Sequence, residues 1–133
     1  MRFKKIVTMN KKKNAYLTIS ILAVIIGLVF TFTYRPYIYS RNIYDFGIAD
    51  TIGSIVSVIA FCFLFWTFKD YSNSEKNKHI LIAVIVYSII WEPMGLTGLH
   101  GTFDWKDIVA TILSGLLTFI LKEIINKSYL KRQ

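Results

Sequence analysis

Cysteine is almost missing from this sequence. Its 133 residues include one thiol, Cys62, so no internal disulfide and no thiolate metal site can form. Lying midway along an apolar run, Cys62 reads as a small packing residue. Catalytic signatures are missing as well: there is no Gly-x-Ser-x-Gly elbow, no Walker loop and no His-Glu-x-x-His helix. Ser54 or Ser88 can be paired with His100 on paper, but nothing orients such a pair, and the chain does not read as an enzyme. No repeat, low-complexity tract or linker divides it, so residues 1–133 read as a single domain. A secretory leader is not expected either. The first apolar run is longer than the roughly 7–15 residues of a leader core, and Phe32-Thr-Tyr-Arg-Pro36 offers no small-x-small cleavage site.

What the sequence has in quantity is apolar residues, 54% of the total, gathered in blocks. A bilayer-crossing helix needs about 20 mainly apolar residues. Four stretches qualify: Ala15 to Thr33, Thr51 to Phe68, Ile80 to Gly98 and Ile108 to Ile125. The third reaches full length only with Glu92 and Pro93 inside it, and the fourth carries Lys122 and Glu123 near its end. The expected fold is all-α: a polytopic membrane protein of four transmembrane helices.

Lys and Arg set the expected orientation. Of 16 such residues, most lie in the basic amino-terminal segment 1–14, the middle loop (Lys69, Lys76, Lys78) and the carboxyl-terminal end (Lys122 and the tail 126–133). Only Arg35, Arg41 and Lys106 fall on the other side. The positive-inside rule then places both termini in the cytoplasm. The net charge of +8 is explained by topology, aided by anionic lipid, and calls for no nucleic acid. Aromatic residues mark the two interfaces: Trp91, Trp105, Tyr34, Tyr37, Tyr39 and Tyr44 outside, and Trp66, Phe68 and Tyr71 inside.

Small and polar residues recur at helical spacing within the runs. They are Ser20, Ala23, Gly27 and Thr31 in the first; Asp50, Gly53, Ser57 and Ala60, with Ser54 beside them, in the second; Ser88, Glu92 and Gly95 in the third; and Asp104, Asp107, Thr111, Ser114 and Thr118, with Gly115 alongside, in the fourth. Such stripes let helices approach closely where lipid supplies no hydrophobic drive for association.

The acids at the heads of these stripes are the candidate site. Carboxylates are costly in a bilayer and face protein or water when they occur there. Asp104 and Asp107 have the spacing of an N-cap and an N3 residue, and Asp50 also opens a helix, so capping accounts for part of this set. Asp45 reads as a turn residue. Glu92 has no capping role, since it falls toward the end of its helix, next to Pro93, which removes a backbone donor. Arg41, favoured over Arg35, is expected to pair with Glu92, because a guanidinium suits a carboxylate. His100 is either a loop residue or a member of the cluster. Glu92, Asp104 and Asp107 are chemically able to hold a hard divalent cation, although no recognised metal-ligand spacing is present and no cofactor is expected.

The block from Glu92 through Gly-Thr-Phe-Asp104-Trp-Lys-Asp107 to Ser114-Gly115 resembles the carboxyl-terminal signature of the VanZ-like family of small membrane proteins, named for a teicoplanin-resistance factor. Arg41 and the segment Asp-Phe-Gly-Ile-Ala-Asp50 resemble the family's earlier Arg and Asp. Gly95 and Thr111 stand where a Gln and an Asn are common. The resemblance implies a multi-pass protein of the bacterial cytoplasmic membrane, acting at its outer face without an established enzymatic mechanism. The expected function is to bind or shield an envelope component, such as a lipid-linked glycan or anionic polymer, with a link to glycopeptide resistance. The expected ligand-binding residues are Glu92, Asp104, Asp107, Asp50, Arg41 and His100. The alternative is a small oligomeric ion-coupled transporter or membrane-complex subunit using Glu92 as a proton or cation site.

Overall fold

The computed structural model describes residues 2–69, 74–91 and 104–131. Among them there are only helices: α1 (Arg2–Val29), a π-helical turn (Phe30–Tyr34), α2 (Arg35–Ser40), α3 (Ile48–Phe68), α4 (Ser74–Trp91) and α5 (Trp105–Leu130). Among the described residues three stretches are long and apolar enough to cross a membrane: Met9–Ser40, Ile48–Phe68 and Trp105–Tyr129. At 1.5 Å per residue, α3 spans about 31 Å, close to the roughly 30 Å hydrocarbon core of a bilayer. The expected third crossing, Ile80 to Gly98, is described only as far as Trp91. Residues 80–91 of α4 cover about 18 Å, and the remainder of that run lies outside the described residues.

The middle turns of these helices expose apolar side chains. On α1, Ile21, Leu22, Val24, Ile25, Ile26, Leu28 and Val29 all stand out from the bundle, and on α5 Leu113, Leu116, Ile120 and Ile124 do the same. A water-soluble monomer rarely shows contiguous apolar patches of that extent. A bilayer accepts them.

Helix α3 is the hub. It packs against α1, α4 and α5, while α4 also rests on α5 and α1 touches α5 only lightly. The core gathers around it: Tyr16, Val58, Cys62, Phe63, Trp66, Leu81 and Val84. Cys62 is fully buried, in the packing position expected of it. The α5 stripe also points inward, with Thr111, Ser114 and Thr118 buried, and Ser114 donates a 2.6 Å hydrogen bond to the Ile55 carbonyl. A Cβ placed on Gly115 would lie 2.4 Å from Ile85 Cδ1, and one on Gly27 would lie 2.8 Å from Val56 Cγ2. At both positions the backbone approaches a neighbouring helix too closely for a side chain. Ser20 donates to the Ala60 carbonyl at 2.9 Å, bringing α1 against α3 in the same way.

Three expectations are corrected. The α3 stripe does not hold at its head, where Gly53 is exposed with no atom within 4 Å of a built Cβ; Ser54 is the residue that faces α5. Trp66 is not a ring at the membrane interface but a core side chain, 1% exposed, against Tyr16 and Phe63. The first apolar run does not stop near Thr33. Proline lacks an N–H and its ring clashes with the carbonyl four residues back. Here the π-helical turn precedes Pro36 and shifts the register, with the Arg35 N–H bonded to the Phe30 carbonyl. The helical path therefore continues to Ser40.

Candidate functional site

The polar cluster lies where α2, α3 and α5 meet. Two backbone devices build it. The first ends α2: Asn42 N–H donates to the Tyr39 carbonyl and Ile43 N–H to the Ile38 carbonyl, with Asn42 in the left-handed region (φ 51°). This is a Schellman closure, and Asn is one of the few residues that tolerates that conformation. The second starts α3. The Asp45 carboxylate accepts from Gly47 N–H at 3.0 Å and Ala49 N–H at 2.7 Å. Asp45 thus does the capping expected of Asp50, and Gly47 adopts φ 86° with the Lys106 side chain against it.

Asp50 is thereby released for another contact. Its Oδ1 accepts from Arg35 Nη2 at 3.2 Å and from the Tyr39 hydroxyl. The guanidinium also lies over the Tyr39 ring, 5.5 Å from its centroid. Arg35, and not the favoured Arg41, is therefore the arginine that reaches an acid among the described residues. Arg41 lies with its guanidinium 5.2 Å from the Tyr37 ring centroid.

On α5, Asp104 is the N-cap, its carboxylate accepting from Lys106 N–H at 2.9 Å. Asp107 accepts a 3.0 Å hydrogen bond from the Ser54 hydroxyl of α3. Asp104, Asp50 and Arg35 all stand close enough to Asp107 to act on it electrostatically. The structure therefore brings together Asp50, Asp104 and Asp107, with Arg35, Tyr39 and Ser54 as added members. Arg41 is exposed just past the end of α2. Glu92 and His100 lie outside the described residues, and so does the expected Glu92–Arg41 pair. Among the described residues no three acids, histidines or cysteines converge as metal ligands. The arrangement offers exposed cations, exposed carboxylate oxygens and exposed rings (Tyr44 78% and Phe46 79% accessible) at one end of an apolar bundle.

A second polar centre, at the opposite end of α5, escaped the sequence reading. Lys122, 2% exposed, donates to the Tyr16 hydroxyl at 2.7 Å, and Tyr16 donates to Asn126 Oδ1 at 3.2 Å. The ammonium lies 4.2 Å from the Tyr16 ring centroid and 4.5 Å from that of Trp66, within range for cation–π attraction. A signal for it was present: Thr118, Lys122 and Asn126 continue the polar stripe of α5 in steps of four.

Comparison of the chain with protein-family models, with curated proteins and with solved structures finds no match.

Proposed function

We propose that this chain is a multi-pass protein of the bacterial cytoplasmic membrane, crossing four times with both termini inside, whose Asp50 end faces outward and binds a polar component of the cell envelope. The ligand class is a lipid-linked glycan or an anionic envelope polymer, and the protein is no enzyme. One observation carries this reading: the Arg35–Asp50–Tyr39 cluster stands open at one end of helices whose exposed middle turns are apolar. A guanidinium fork matches phosphate or carboxylate, carboxylates accept hydrogen bonds from sugar hydroxyls, and Tyr and Phe rings offer flat amphipathic faces. Asp104, Asp107 and Arg41 extend the same surface, and Glu92 and His100 join it on the sequence argument alone. The VanZ-like resemblance agrees with a role at the outer face and with reduced glycopeptide access as its consequence.

The lipid extract of the purified protein tests this. A phosphorylated envelope glycolipid should co-purify with the wild type and be depleted from Arg35→Gln. Bulk phospholipid alone in both samples would overturn the proposal.

The Ser54–Asp107 contact favours a second reading. An acid at the head of a buried polar stripe suits a small oligomeric ion-coupled transporter or a membrane-complex subunit, with Glu92 or Asp107 taking up a proton or cation. Carboxylate-dependent ion flux in proteoliposomes would select it over the binding reading.

A further inference from the structure

At the Lys122 end, the outward face of α5 has the profile of a lipid. Leu117, Ile120 and Ile124 are exposed, and Lys127 and Lys131 follow, also exposed. These five residues step by 3, 4, 3 and 4, so they form one stripe down the helix. It is apolar for about two turns and then ends in two ammonium groups. The depth is right for headgroups. From Trp105 to Lys122 the helix rises about 26 Å, most of a hydrocarbon core of roughly 30 Å, so Lys127 and Lys131 fall at the level of lipid phosphates. The α1 turn held against this end by the hydrogen bond from the Tyr129 hydroxyl to the Lys11 carbonyl is made of Lys11, Lys12 and Lys13, so α5's lysines outnumber its one acid here, the half-buried Glu123, with further cations beside them.

We propose that this stripe seats an anionic phospholipid of the adjoining leaflet, its phosphate on Lys127 and Lys131 and one acyl chain along Leu117, Ile120 and Ile124. A lysine near the carboxyl end of a helix also complements the helix dipole, which would account for Lys127 but not for the alignment of both lysines below an apolar track. A soluble polyanion such as RNA would meet only the charges; a lipid meets the charges and the track together. Each lysine near an anionic leaflet is worth about a fivefold gain in partitioning, so the pair together is worth about twenty-five-fold. The seat is at the opposite end from the Arg35–Asp50 cluster. It rests on the reading that α5 crosses a membrane, and on no identification of the other ligand.

The experiment is native mass spectrometry of the detergent-solubilised full chain titrated with phosphatidylglycerol or phosphatidylcholine. Wild type should retain phosphatidylglycerol in preference to phosphatidylcholine. K127Q/K131Q should lose about twenty-five-fold in phosphatidylglycerol binding with phosphatidylcholine unchanged, whereas K127R/K131R and Lys106→Gln should behave as wild type. Equal binding of the two lipids by wild type, or undiminished phosphatidylglycerol binding by K127Q/K131Q, would overturn the seat. Displacement of the lipid by millimolar inorganic phosphate or by an RNA oligomer would overturn the assignment to lipid. A chain that stays in solution when detergent is removed would instead sink the membrane reading on which the seat rests.

Discussion

Lys122 and Tyr16 meet across 106 positions of sequence, ammonium nitrogen to hydroxyl oxygen at 2.7 Å, in the interior of the bundle. The contact ties α5 to α1, two helices that otherwise barely touch, and Trp66 of α3 closes it from the third side. A buried ammonium is tolerable only where its donors and its charge are met. Tyr16 accepts a hydrogen bond from Lys122 and donates its own to Asn126 Oδ1, so the three side chains form a chain of hydrogen bonds.

Tyr16→Phe should therefore destabilise the protein by about 1–3 kcal/mol, the cost of removing one partner of a buried, charge-assisted hydrogen bond. Lys122→Met keeps length and removes the charge, and a buried charge exchanged for an apolar side chain of similar volume is often tolerated. The informative measurement is the double-mutant cycle by thermal unfolding in detergent. Tyr16→Phe should cost clearly less in the Lys122→Met background. Additivity within about 0.5 kcal/mol would show that the two groups do not support one another.

This chain of hydrogen bonds also marks how far the sequence could be read. The inward stripe of α5, the Asp104 cap and the burial of Cys62 were legible because each follows from spacing or local chemistry. Lys122 was not, because a lysine near the end of an apolar run reads as a topology signal, and only its place in the stripe says otherwise. Trp66 and Gly53 misled for a related reason. α3 has neighbours on three sides, so its apolar pattern runs round the helix, and no periodicity reveals which side is left open. The helix continuing past Pro36 depends on a π-helical turn, which no residue type announces. Of the candidate site, Asp50, Asp104 and Asp107 stand out singly in the sequence; the meeting of Arg35 with Asp50 does not, since it arises where the chain turns at residues 41–47 and brings the start of α3 back beside α2.

The α5 stripe should resist enlargement. Gly115→Leu and Ser114→Leu drive side chains into Ile85 and into the α3 backbone at Ile55, and overpacking of this kind typically costs about 1–3 kcal/mol. Ile112→Leu, on the exposed face, should leave the midpoint unchanged. Equal midpoints for all three variants in detergent would mean that α5 is turned the other way.

The two helix starts should respond unequally to the loss of their carboxylates. Asp104→Ala removes one acceptor, the bond from Lys106 N–H, and should cost about 1 kcal/mol. Asp45→Ala removes two, from Gly47 and Ala49, and should cost more. Asn at either position should recover most of the loss, since its side-chain oxygen still accepts. An Asp50→Ala variant that lowers stability more than Asp45→Ala would show that Asp50, and not Asp45, secures the start of α3.

Orientation follows from the same basic residues that crowd the Lys122 end. Reporter fusions after Lys12, Asn73 and Gln133 should read cytoplasmic, and one after Ser40 external, if four crossings and the positive-inside rule hold. An external reading at Asn73 would leave the chain with a different number of spans.

Arg35 and Asp50 offer the sharpest separation of function from fold. Their side chains remain 49% and 38% exposed, and ion pairs so open to solvent contribute about 0–1 kcal/mol to stability. Arg35→Gln should therefore leave the unfolding midpoint within a degree or two of wild type. If the cluster recognises a phosphate or carboxylate, however, the same change removes the planar fork that a glutamine amide cannot replace, and Arg35→Lys, with a point charge and no fork, should recover only part of the binding. The measurement is retention of the co-purifying envelope lipid alongside the midpoint. Loss of both together would assign Arg35 to the scaffold; loss of neither would remove the α2–α3 cluster from the binding surface and leave the acids of α5 to carry it.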